Sequence, residues 1–192
     1  MPLIALLGCS NDEVETGVIE DVETEQVTNK HEGNIDPVNL KLEEFADEYN
    51  GLVNRTNNKD NDSQHLEPIN IDEFESTFEK DERWHNVLSD SDDASDYGIE
   101  LSFDDEMNIL DYHVGISSED GYSHFESAGL ASATTIAKVL NLDMDLFLEN
   151  ATASLESDDA SYKYEDAGYE IFFMDLGVGG SGTLIFEFRK RE

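Results

Sequence analysis

The stretch from Tyr97 to Ile116 constrains the fold more than any other part of this chain. Tyr97, Ile99, Leu101 and Phe103 alternate with Gly98, Glu100 and Ser102. After Asp104-Asp105-Glu106, the residues Leu110, Tyr112, Val114 and Ile116 alternate with Asp111 and His113. A period of two sends successive side chains to opposite faces of a strand. Two such runs joined by a short acidic turn predict an antiparallel hairpin with one dry face and one wet face. The dry face then has to be covered, and helices with an apolar stripe are the elements expected to cover it.

Helical spacing occurs twice. Leu42, Phe45, Tyr49, Leu52 and Val53 predict a helix from about Asn39 to Val53, with Asn39 as its cap. Leu130, Ala133, Ile136, Ala137 and Leu140 predict another, ended by Asn141, and Asp143 is placed to cap a short successor carrying Leu146 and Phe147. Elsewhere the pattern returns to strands. Ile69, Ile71, Phe74, Ser76 and Phe78 favour a strand, with a helix from Asp72 as the competitor. Trp84, Asn86 and Leu88 suggest the next, with Trp84 as the core's largest anchor and the acidic run Asp90 to Asp96 as a loop. Tyr162 and Tyr164, then Tyr169, Ile171 and Phe173, then Leu184, Phe186 and Phe188 supply three more. The expected order is helix, four strands, helix, three strands. This is an α+β fold with a mostly antiparallel sheet of about six or seven strands and helices on one face. The wet face should carry Glu100, Ser102, Asp111, His113 and Glu187.

Charge sets the surface. Among 192 residues, 46 are Asp or Glu and 11 are Lys or Arg, for a formal net charge of −35. The acids are spread, 26 in the first 96 residues and 20 in the rest. Such a surface repels nucleic acid and attracts cations and basic proteins. Salt at about 1 M shrinks the screening length to roughly 3 Å. The domain is therefore expected to melt at a higher temperature in molar salt than in dilute buffer. An unchanged Tm would contradict a self-repelling surface.

The single cysteine excludes an internal disulfide. It sits in Leu6-Leu7-Gly8-Cys9, behind an apolar run. These four residues resemble the lipobox of bacterial lipoproteins. The resemblance implies a signal-peptide remnant with its lipobox over 1–9, acyl chains on Cys9, and an extracytoplasmic protein anchored to the cell membrane. Two or more chains make such anchoring stable. Residues 10–38 carry nine acids against Lys30 and no aromatic, which reads as an acidic flexible tether. Residues 39–192 then form a single α+β domain.

Candidate chemistry is sparse. Asp90, Asp92, Asp93 and Asp96 come nearest to a calcium loop, but the positions that need glycine and glutamate hold Ser95 and Leu101. Asp111 and His113 share a strand face and mark a possible binding surface, and Gly179 and Gly180 lie in a loop at a possible partner-facing tip. No GxSxG elbow, HExxH or phosphate loop occurs, and no cofactor is implied. The leading expectation is a non-enzymatic binding or accessory module. Its partner would be a basic envelope protein, a peptide or cations, and not nucleic acid; the oligomeric state stays open. The alternatives are a cytoplasmic acidic inhibitor that mimics nucleic acid, and an enzyme or weak cation binder with a non-local site.

Overall fold

The computed structural model describes residues 39–57, 65–77, 83–91, 95–118, 127–156, 161–176 and 182–191. Their order is α1 (Leu42–Asn57), α2 (Ile71–Thr77), β1 (His85–Ser91), β2 (Asp96–Phe103), β3 (Ile109–Ser118), α3 (Ala128–Val139), α4 (Met144–Glu156), β4 (Ser161–Asp166), β5 (Tyr169–Asp175) and β6 (Gly182–Lys190). The six strands form one antiparallel sheet in the order β1-β2-β3-β6-β5-β4. Among the described residues, two helices followed by a three-strand meander thus occur twice in succession. Exchanging the halves maps the strand order onto itself, with β3 and β6 paired at the centre.

The fold is α+β, with the helices packed on one sheet face. Phe45 of α1 meets Tyr112, Phe74 of α2 meets His85, and Phe147 of α4 meets Phe173, Phe186 and Phe188. Tyr49 and Ser132 join α1 to α3 through a buried 2.8 Å hydrogen bond. The α3 helix approaches the sheet closely at Gly129. A Cβ at Gly129 would lie 2.7 Å from Ile116 Cγ1 and 3.0 Å from two further carbons of that side chain. Helix propensity alone favours alanine there by up to ~1 kcal/mol. Because Ile116 is β-branched and fully buried, Gly129→Ala is nevertheless expected to destabilise by about 1–3 kcal/mol through overpacking. A urea midpoint at or above that of the parent would show that the helix has room to shift.

The second helical region follows its sequence. Ser127 Oγ accepts the Leu130 N–H at 3.2 Å, Asn141 takes the left-handed conformation that ends α3 (φ 58°), and Asp143 Oδ1 accepts from Asp145 and Leu146. The first helix starts later than expected. Lys41 Nα donates to Glu44 Oε2 at 3.1 Å, which is half of a capping box, while Asn39 Oδ1 accepts from Lys190 instead.

Three expectations are corrected. The segment at 69–78 is not a strand: residues 71–77 are helical, and its strand-like lead-in is held by α1. Asn50 and Asn57 each exchange two hydrogen bonds with the backbone, at Ile69 and at Leu66. The Asn70 carbonyl then accepts from Phe74 and its side chain from Glu73, so the backbone is capped into a turn. In β3 it is Ile109, not Leu110, that faces inward; Leu110 is 38% exposed. The pairing skips it, with Phe103 opposite Ile109 and Ser102 opposite Asp111, and such a bulge reverses the parity of every residue before it. In β1 a second bulge at Val87 sets His85 opposite Leu101 but Leu88 opposite Ile99. His85 is therefore buried among Phe74 and Phe103, and Trp84 leaves the core for the opposite face.

Candidate functional site

The sheet face opposite the helices carries two aligned rows of side chains. Register places Glu100, His113, Glu187, Phe172 and Lys163 side by side across five strands, and beside them Ser102, Asp111, Arg189, Glu170 and Glu165. His113 Nδ1 lies 2.8 Å from Glu100 Oε2, and the Trp84 ring rests 5.5 Å from the imidazole. Ser102 Oγ donates to Asp111 Oδ2 at 2.8 Å. Arg189 grips both oxygens of Glu187 at 2.7 and 2.8 Å, and its guanidinium sits 4.3 Å from the Phe172 centroid. The Glu187 side chain is only 7% exposed, so this bidentate pair compensates a carboxylate that would otherwise be costly to bury. The same hydrogen bonds hold the Arg189 guanidinium even more firmly protonated than usual. Lys163 bridges to Glu170 at 2.8 Å. These contacts are a cross-strand brace of an acidic sheet, with cations spaced between carboxylates.

The residues singled out from sequence fall in different places. Asp111 and His113 do share the outer face, but each is engaged with its own β2 neighbour. Asp90 and Asp96 do not converge. Asp90 stands opposite inward-facing Tyr97, whereas Asp96 stands opposite Ser91 and Ser117, on the other side of the sheet. Cys9, Asp92, Asp93, Gly179 and Gly180 lie outside the described residues. Among the described residues no group of three or more His, Cys, Asp and Glu is placed to hold a metal ion.

A concavity missed by the sequence reading lies at the β1 edge. It is a groove of about 550 Å³ between β1 and the α1–α2 connection with the start of α2. Phe74, Val87 and Leu88 contribute apolar surface, while Glu67, Glu73 and Asp90 bring carboxylates to it. Tyr97 ties its two sides together. Its hydroxyl donates to Asp90 Oδ2 at 3.3 Å and accepts the Glu67 N–H at 3.5 Å. Burial pushes the Tyr97 phenol well above its ordinary range, so this latch stays protonated. The groove follows from the unequal halves of the fold. At the far edge α4 runs thirteen residues and seats Phe147 on the sheet, whereas α2 runs seven. A sequence sign was present in the shortness of the apolar run after Pro68, but only the sheet order sets that helix beside an edge strand.

Comparison with protein-family models, with curated proteins and with solved structures finds no match to this chain.

Proposed function

We propose that this protein is a lipid-anchored extracytoplasmic lipoprotein whose α+β domain is a non-catalytic binding module. The address rests on Leu6-Leu7-Gly8-Cys9 and on the acidic stretch that follows it. The observation that carries the binding reading is the β1-edge groove, which joins apolar surface to carboxylates. The outer face supports binding over nucleic-acid mimicry. A mimic would present uninterrupted carboxylates, and here Glu187 and Glu170 are matched by Arg189 and Lys163. Among the described residues no helix is long and apolar enough to cross a membrane. In this reading the membrane is reached through the acyl chains on Cys9.

The test is metabolic labelling with a fatty acid in a bacterial host that processes lipoproteins. The intact chain is expected to take up label and to sediment with membranes, and Cys9→Ser to lose both. Mass spectrometry showing an unmodified Cys9 with residues 1–8 still attached overturns the anchor.

A further inference from the structure

We infer that the β1 edge receives an extended basic segment of a partner protein, which adds to the sheet as a short seventh strand with its cations on the groove's carboxylates. This deepens the reading of the domain as a binding module and does not depend on the anchor. An edge strand presents backbone N–H and C=O groups that a partner's extended chain can pair with. β1 is one of two such edges, since it pairs with β2 alone among the described strands. The other edge, β4, carries Lys163 and Glu165, and charges there discourage pairing. The centre of β1 is instead Asn86-Val87-Leu88-Ser89, without a charge, and it forms one wall of the groove. The bulge at Val87 shortens the regular run, so the added strand spans only three or four residues. Affinity then has to come from the groove as well as from the ladder. The groove offers the two things an alternating apolar–basic segment supplies a partner for: the surface of Phe74, Val87 and Leu88, and the carboxylates of Glu67 and Asp90. Among the described residues that line it there is no Lys or Arg. Charge selects the sign of the occupant and speeds its approach to a chain of net charge −35.

The probe is a fluorescent peptide of about ten residues in which Lys alternates with Val or Thr, long enough to pass through the groove in extended form. It is titrated into the full-length protein, with a Glu-for-Lys peptide as its counterpart. Saturable binding of the basic peptide alone is expected, with new hydrogen-exchange protection of amides in Asn86–Asp90. Glu67→Lys, an exposed reversal at the groove, should weaken binding about fivefold or more. Ser161→Lys, at the exposed start of β4, should leave it unchanged. Equal weakening by the two variants, or binding without protection in Asn86–Asp90, would mean diffuse attraction to an acidic surface and overturns the proposal. Absence of binding at millimolar peptide overturns it too. Fatty-acid labelling is unaffected by any of these results, so failure here and failure of the anchor are told apart.

Discussion

Phe147→Ala is expected to remove about 3–5 kcal/mol of stability, a large share of the ~5–15 kcal/mol typical of a domain. Phe147 is fully buried, and its ring lies 5.8, 6.0 and 6.1 Å from those of Phe173, Phe186 and Phe188. It is the side chain through which α4 meets two strands, so truncation opens a cavity that neither element can close alone. Urea denaturation followed by circular dichroism should show a lower midpoint with a little-changed slope. Phe172→Ala is the matched control. It lies on the outer face of β5, the strand whose inner face carries Phe173, beneath Lys163 and Arg189, and should lose only about 1 kcal/mol. Similar losses from the two would contradict the assignment of dry and wet faces.

Cooperative unfolding between pH 10 and pH 12 is the second large effect expected. Burial pushes the phenols of Tyr49 and Tyr169 up to about 12, and those of Tyr97, Tyr112 and Tyr164 upward as well, from an ordinary value of 10.0. In Tyr49 the hydrogen bond to Ser132 opposes that push only in part. The folded-state values lie above the unfolded one. As pH rises past 10, the unfolded chain loses protons that the folded chain keeps, and stability falls. It is fully present below pH 10 and is lost as pH climbs toward the folded values. Each fully buried phenol contributes a slope of at most about 1.4 kcal/mol per pH unit. Several acting together match a domain's stability within one or two units. The tyrosinate absorbance of these five residues should therefore rise in one step, coincident with loss of the circular dichroism of the folded state. A gradual titration near pH 10 with the fold intact would show that these hydroxyls reach solvent.

The outer face illustrates how far sequence reading reaches. That Glu100, Ser102, Asp111, His113 and Glu187 point away from the core follows from parity within each strand, and they do. Which of them touch is a matter of register between strands. Asp111 and His113 are two residues apart and look like partners, yet Asp111 bonds Ser102 and His113 bonds Glu100. Arg189 on Glu187 was not foreseen, although the two are spaced by the same period of two. The short apolar run after Pro68 hinted at a short helix, but the groove itself depends on the sheet order that sets this helix beside an edge.

Local order was written in the chain itself. The alternation of Tyr97 to Phe103, the apolar stripe of α3, the stop at Asn141 and the cap at Asp143 depend on residues within a turn or a strand of each other, so contiguous sequence suffices. The cysteine with its apolar approach, and the charge of −35, are likewise properties of the sequence. Tertiary structure alone decided what needs a distant partner. It placed β6 against β3, turned Ile71–Thr77 into helix through the clasps of Asn50 and Asn57, and put one bulge at Val87 and another at Leu110. A bulge is fixed by the strand opposite and reverses the facing of every residue on one side of it. That is why Trp84, the largest side chain in the chain, lies on the wet face rather than in the core.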